Sequence, residues 1–232
     1  MAFMFGAVFK TLNQFFDPAF WRVLVKSVAI SVVLLALSMW AGLALTDLVP
    51  RTETGWINWI IEHVSSLGVV LAILLLFPAM SALVMGLFLD DIAQAVEQKH
   101  YVTDVPGKPV GLKESLISAL KLAGEMLLLN LLALPFYLIF LFFPLLSVAL
   151  YYGINGHLLN REYFELVAQR HGDAAHHKMM RKKHGGRLFL GGCVIAFLFT
   201  VPFINLAAPL LGTGLMVHLY KQFPEAMGIQ RA

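Results

Sequence analysis

Charge is scarce in this chain, and cysteine is almost absent. Asp, Glu, Lys and Arg make up only 13% of the 232 residues, whereas soluble domains carry about 25%. The single cysteine, Cys193, excludes an internal disulfide. Low charge with a mean hydropathy of +0.77 is typical of a protein whose surface faces lipid. The net charge of +3 gives no indication of nucleic-acid binding.

Four long runs contain no charged residue: 27–46, 63–89, 126–160 and 188–220. About 20 apolar residues are enough to cross a bilayer as a helix. A polar loop separates the first two runs, so they predict full transmembrane helices over 18–46 and 56–89. We therefore predict a single membrane domain over 1–232, with an all-α fold.

The last two runs differ because their turns are apolar. Residues 134–144 and 201–209 each contain Pro-Phe near the start and end on proline. A turn that emerges into water is expected to be polar, so we predict two re-entrant, half-crossing hairpins, over 112–156 and 188–220. The alternative is two unrelated helices broken by proline. Backbone that turns inside lipid needs protein around it, which predicts a homo-oligomer.

Basic residues predict the orientation of the chain. Of 17 Lys and Arg, only Arg51 lies between the first two runs, and short basic segments tend to stay cytoplasmic. Both termini are therefore predicted to be cytoplasmic, and the loop over 46–62 is predicted to be periplasmic. Residues 1–16 predict an interfacial amphipathic helix, and 157–187 predict a cytoplasmic amphipathic helix followed by a basic loop. In that helix Arg161 and Glu165 have the spacing of an ion pair.

Two cations follow a predicted helix start at Asp17-Pro18. Arg22 and Lys26 lie one helical turn apart, near free backbone N–H groups, and this combination favours an anion site. The alternative is a pair of interfacial side chains that reach lipid phosphates.

Several polar residues interrupt or border the apolar runs. Glu125 either pairs with Lys121 at the interface or is a buried carboxylate along a pathway. The ordinary role of asparagine in such runs is hydrogen bonding between helices, but Asn205 lies in a predicted turn near mid-membrane. Our pathway candidates are Asn205, Glu125, Asn155 and Arg161.

Four histidines lie in the predicted basic loop: His171, His176, His177 and His184. The surrounding lysines and arginines oppose a divalent metal, and they fit anionic lipid or other anions better. We predict no metal and no cofactor. Nucleotide-binding, zinc-binding and nucleophile motifs are missing from the sequence, and nothing in it predicts an enzyme.

Two motifs resemble the CysZ family of sulfate permeases, which is grouped with the etoposide-induced membrane proteins. They are Gly153–Glu165, which contains Arg-Glu-Tyr-Phe-Glu, and Val201–Leu210, which contains Pro-Phe-Ile-Asn. The resemblance extends over almost the whole chain in length and order of runs. It implies a bacterial inner-membrane permease that supplies sulfate for cysteine biosynthesis, with two spanning helices, two half-crossing hairpins and an oligomeric state.

The resemblance also implies a sulfate site at the start of the first spanning helix, where the family has Gly-Leu-Arg. This chain has Phe20-Trp21-Arg22, so the cation matches and the glycine is missing. The predicted anion site is therefore Arg22, Lys26 and Trp21. Two other functions remain open. One is a scaffold that shapes the membrane, and the other is a lipid-modifying enzyme that uses Glu125, His157 or His218.

Overall fold

The computed structural model describes most of the chain outside the segment 47–83. The described residues are 2–14, 16–46, 54–56, 58, 59, 63, 67, 68, 70, 71, 84–104, 106–108, 110–202 and 204–229. Within them the regular structure is helical, without strands. The predicted class, an all-α membrane protein, is confirmed.

Eight helices have both ends within the described residues. They are α1 (Ala2–Gln14), α2 (Pro18–Thr46), α3 (Leu89–His100), α4 (Leu112–Phe140), α5 (Pro144–Ala168), α6 (Ala174–Thr200), α7 (Ile204–Tyr220) and α8 (Pro224–Ile229). Contacts divide the chain into a first unit, Met1–Trp21 with Leu89–Ala232, and a second unit, Arg22–Phe88.

Helix α7 is the centre of the first unit. Every residue from Ala207 to Tyr220 is buried, and α1, α3, α5 and α6 all pack against this helix. A helix that is apolar on all sides requires such a surrounding. The amphipathic α1 contributes Ala7, Thr11 and Gln14 to the packing and leaves Phe5, Phe9 and Leu12 exposed.

Helices α5 and α6 form the closest pair in this unit. Glycine makes their approach possible, since a Cβ added to Gly192 would lie only 2.8 Å from the Cβ of Asn160. The same face of α5 buries Tyr163, Phe164 and Val167, as expected for the apolar side of an amphipathic helix.

Two described stretches are long and apolar enough to cross a membrane. They are Phe20–Gly42 in α2 and Leu120–Phe140 in α4. Most of their residues are exposed, as expected for helices that face acyl chains. The first matches the predicted helix over 18–46. The second predicted helix, over 56–89, lies largely outside the described residues.

The predicted turns were wrong in their extent. Helix α4 continues through Pro135 to Phe140, and Pro144 is already at the start of α5. Helix α7 begins at Ile204 and contains Pro209. A proline removes only one hydrogen bond from a helix, and in lipid the remaining backbone groups have no water to bond instead. These helices therefore persist past internal prolines.

Helix length bears on the half-crossing prediction. Helix α4 has 29 residues and extends about 43 Å, which exceeds the hydrocarbon thickness of about 30 Å. Length therefore does not require the first hairpin to stop halfway. Helix α7 has 17 residues and extends about 26 Å, which is less than the hydrocarbon thickness. Both half-crossing hairpins stay predictions, and helix length supports only the second one.

The predicted basic loop is instead helical. Helix α5 continues without a break at 157 to Ala168, and α6 begins at Ala174. Asp173 starts α6 because its carboxylate accepts a hydrogen bond from the His176 backbone N–H at 2.8 Å. Helix α6 is kinked at His184, where φ is −110° and ψ is 16°. The basic residues therefore have fixed helical positions.

Candidate functional site: a cationic cavity

A cavity of about 1220 Å³ lies between α4, α5 and α6 in the first unit. Among the described residues, its charged lining consists of Glu165 and six cationic side chains. The cations are Lys108, Lys121, Arg161, Lys178, Arg181 and Lys182. Such an excess of positive charge at a concave surface attracts anions.

Helical spacing brings these side chains into the cavity. On α5, His157, Arg161 and Glu165 follow one another at four-residue intervals and line the same face. On α6, His177 and Arg181 form one such pair, and Lys178 and Lys182 form another. The helical start at Ala174 places both pairs opposite α5.

Arg161 is the centre of an ion-pair network. One of its terminal nitrogens forms an ion pair with Glu125 of α4. Its Nε donates to Glu165 Oε1 at 3.2 Å, which confirms the predicted pair. The same Glu165 oxygen also accepts from Arg181 Nη1 at 2.8 Å. Three helices are therefore connected through two arginines and two carboxylates.

Glu125 has a different partner from the one considered on sequence grounds. It contacts Arg161 rather than Lys121, and its Oε1 lies 3.3 Å from His157 Nε2. The turn between α4 and α5 brings these helices side by side, so a residue of another helix reaches the carboxylate. Glu125 and Arg161, both pathway candidates, are thus in contact.

His177 is a buried polar group in the cavity wall. It is 6% exposed, and its Nε2 has no hydrogen-bond partner among the described residues. Burial and the neighbouring charge of His176 lower the pKa of His177, despite a hydrogen bond with the backbone of Ala168. The ring is therefore mainly neutral near pH 7, and the fixed positive charge of the wall comes from Lys and Arg.

This arrangement is suited to binding an oxyanion. Guanidinium groups present several N–H donors in one plane, which matches the oxygens of sulfate or phosphate. The lysines add point charges to the lining of the same space. All of these donors are provided by protein side chains, so a bound anion exchanges its water for protein hydrogen bonds.

The two asparagines among the pathway candidates lie away from the charged network. The Asn155 amide donates to the Tyr151 carbonyl at 3.0 Å, and Asn205 is exposed in the first turn of α7, where its backbone N–H donates to Val201. Neither lines the cavity. Their part in a pathway stays a prediction.

The residues of the predicted anion site at α2 are not among those that line the cavity. Arg22 and Lys26 are exposed residues of the second unit, and the Lys26 ammonium is 4.7 Å from the centre of the Phe88 ring. Trp21 is 43% exposed. Asp17, predicted to cap this helix, forms an ion pair with Lys99 at 2.6 Å. An anion-binding role for Arg22, Lys26 and Trp21 stays a prediction.

Sequence reasoning missed Arg181, Lys178 and Lys182 as site residues because it placed them in a loop. The signal was present: Asp173 followed by two alanines is a helix start, and a helix from that point repeats cations every four residues. Lys108 gave no such signal, because only the folded chain places it beside α5 and α6.

Three other histidines have partners outside the cavity. His171 contacts Glu97 at 2.6 Å, and His184 contacts Glu225 at 2.9 Å. His218 contacts the side chains of Gln14 and Tyr101. Each of these contacts joins separate helices or the residues next to them, which is a structural role.

The apolar helices define an integral membrane protein, and the cavity defines one that attracts anions. A family model described as sulfate transporter CysZ/etoposide-induced protein 2.4 matches residues 7–209. The chain belongs to this family, as its motifs predicted. Searches of curated proteins and of solved structures found no match. The family match includes every residue of the cavity.

Proposed function

We propose that this protein is a sulfate permease of the bacterial inner membrane that supplies sulfate for cysteine biosynthesis. The observation that carries the proposal is the cavity in which Arg161 and Arg181 converge on Glu165 among four lysines. Membership of a transporter family supports it. We assign sulfate as the substrate from the name of the family together with the donor chemistry of the cavity.

The physical problem for such a permease is the cost of dehydrating a dianion. Moving an isolated ion into an apolar medium costs tens of kcal/mol, so its water must be replaced by other donors along the way. Arginines and lysines around a wet cavity provide them without removing the ion fully from solvent. Binding must also be weak enough for the ion to leave.

The proposed path has two cationic anion-binding sites. Arg22 and Lys26, with Trp21, form one at the start of α2, and the cavity forms the other. The tendency of short basic segments to stay cytoplasmic supports a cytoplasmic position for the cavity and both chain termini. Asn155 and Asn205, on the two hairpins, are the candidates for the rest of the path, and a homo-oligomer shields the turns within lipid.

Uptake into proteoliposomes tests this function. Vesicles that contain the protein are expected to take up labelled sulfate, and empty vesicles are not. Arg181→Gln is expected to reduce uptake about tenfold, because it removes a charge-assisted hydrogen-bond donor from the cavity. The matched control is Lys183→Gln, since Lys183 lies on the same helix, does not line the cavity and has a side chain 63% exposed.

Three results would contradict the proposal. Equal uptake by Arg181→Gln and wild type would show that sulfate does not pass through the cavity. Vesicles that form tubules without sulfate flux would indicate a membrane-shaping protein, and loss of a lipid species would indicate an enzyme. Separately, unchanged sulfate uptake and binding after Arg22→Ala would contradict the anion-binding site at α2, but it would not contradict the site in the cavity.

A further inference from the structure

Both arginines of the cavity are already occupied by carboxylates. Arg161 contacts Glu125 and Glu165, and Arg181 contacts Glu165. A single oxygen, Glu165 Oε1, accepts from Arg161 Nε at 3.2 Å and from Arg181 Nη1 at 2.8 Å. The two guanidinium groups therefore converge on one point, and that point holds an oxygen with negative charge.

The network remains accessible from the cavity. The exposed fractions of the side chains are 23% for Arg161, 30% for Arg181 and 23% for Glu165. All three line the same space, which is large enough for a hydrated oxyanion. An anion that enters can reach both guanidinium groups without opening the helical packing.

We propose that Glu165 is a resident counter-anion that an arriving oxyanion displaces. In the empty cavity its carboxylate holds the two guanidinium groups together. A sulfate dianion then places one of its own oxygens at the point where Arg161 and Arg181 converge, and the Glu165 side chain turns away. This inference rests on the proposed function, because it concerns the binding of sulfate at the same cavity.

Such an exchange makes binding reversible. Sulfate gains the two arginines but has to replace their existing ion pairs, so its affinity is lower than the number of cations suggests. When sulfate leaves, Glu165 returns and satisfies the same donors, which avoids leaving two half-buried charges unpaired. A permease needs this balance, because an ion that binds too tightly does not pass.

Removing the charge of Glu165 tests the exchange. Glu165→Gln keeps the size of the side chain and a hydrogen-bond acceptor, so the arginines keep a partner without a competing charge. We expect sulfate to bind on the order of tenfold more tightly to the variant in detergent, by isothermal titration calorimetry. In proteoliposomes we expect half-saturation at lower sulfate and a lower maximal rate, because release becomes slower.

Two further variants make the result specific. Glu162→Gln changes a carboxylate of the same helix that does not line the cavity, and it is expected to leave sulfate affinity unchanged. Glu125→Gln removes the second partner of Arg161 but no partner of Arg181, so it is expected to tighten binding less than Glu165→Gln. This variant also tests the exchange if Glu165→Gln does not fold.

The outcomes separate this inference from the function on which it rests. Suppose that wild type binds sulfate and that Arg181→Gln loses uptake. If Glu165→Gln and Glu125→Gln then bind sulfate no more tightly than wild type, the counter-anion role of Glu165 is contradicted, and the permease function is still supported. Weaker binding together with slower transport would show that Glu165 only positions the arginines. If wild type binds no sulfate, both the counter-anion role and the permease function are contradicted.

Discussion

Glu97 in α3 is a carboxylate that the fold buries almost completely, with 3% of its side chain exposed. It accepts hydrogen bonds from His171 Nε2 at 2.6 Å, Arg170 Nη2 at 3.4 Å and the Gly107 backbone N–H at 3.2 Å. Arg170 is equally buried and also contacts Asp90 at 3.2 Å. These contacts connect α3 and the segment after it to the residues that follow α5.

Glu97→Gln is expected to destabilise the protein by about 3 kcal/mol near pH 7, because it leaves the buried Arg170 with less compensating charge. Burial on its own raises the pKa of Glu97, but the hydrogen bond and charge of His171 and the charge of Arg170 outweigh it, so the pKa lies below the ordinary value of 4.5. The carboxylate therefore stabilises the fold above pH 4.5, and this contribution disappears as the pH falls through the lowered pKa.

Thermal unfolding in detergent, measured from neutral to acidic pH, checks this prediction. The difference between wild type and Glu97→Gln is expected to be largest near neutral pH and to shrink below pH 4.5, the ordinary value of the carboxyl. Asp91→Asn, on the exposed side of the same helix, is the control and is expected to change little. A difference independent of pH would show that packing, not charge, is lost.

At the scale of the helices, the crossing of α5 and α6 depends on Gly192. A Cβ at this position would lie 2.8 Å from both the Cβ and the backbone N of Asn160, so the helices must move apart. We expect Gly192→Ala to destabilise the protein by about 1–3 kcal/mol, the usual cost of overpacking. It also moves Arg161 relative to Arg181, so sulfate uptake is expected to fall with stability.

Gly153→Ala is the matched control for this prediction. Gly153 lies in the same helix pair, on α5, but a Cβ there meets nothing within 4 Å. Alanine favours a helix over glycine by about 1 kcal/mol, so this variant is expected to be as stable as wild type or more stable. Equal unfolding temperatures for the two variants would mean that close approach at Gly192 does not limit the packing.

The sequence predicts the helices better than the turns between them. The missing charge in 27–46 and the Asp-Pro pair before it predict α2 with its observed start at Pro18. The prolines at 135 and 209 suggested turns that the structure does not have, because the remaining helical hydrogen bonds outweigh one lost bond in an apolar medium.

The cavity was predictable only in part, for a similar reason. Arg161 and Glu165 lie four residues apart on one helix, and such a pair follows from helical geometry alone. The contact between Glu125 and Arg161 joins two helices at residues that are 36 positions apart in the sequence, counted from 125 to 161. Nothing in local spacing predicts which residues of α4 face α5.

At the scale of the whole molecule, the exposed apolar surface of α4 and of the start of α5 is the feature that lipid must cover. It includes Leu127, Leu128, Leu131, Leu132, Leu138, Leu141, Phe142, Phe143 and Leu145. Soluble monomeric proteins rarely expose an apolar patch of this size to water. Acyl chains or a second copy of the chain can cover it, and the proposed homo-oligomer uses part of it.

The course of the second hairpin decides how this surface lies in the bilayer. Helix α7, at about 26 Å, is shorter than the hydrocarbon core, so the residues before it are expected to stop within lipid. Leu206 is 39% exposed near the start of α7, and a cysteine there reports whether this point reaches the periplasm. The native Cys193 is first replaced by alanine, so that the introduced thiol is the one labelled.

In intact cells, Leu206→Cys is expected to resist a membrane-impermeant maleimide, because a thiol surrounded by lipid stays protonated and out of reach. Thr54→Cys, in the loop predicted to be periplasmic, is the positive control and is expected to react. Lys183→Cys, on the predicted cytoplasmic side, is expected to react only after the cells are opened. Rapid labelling at Leu206 in intact cells would show that the hairpin crosses completely, and then the turns would need no shielding by an oligomer within the membrane.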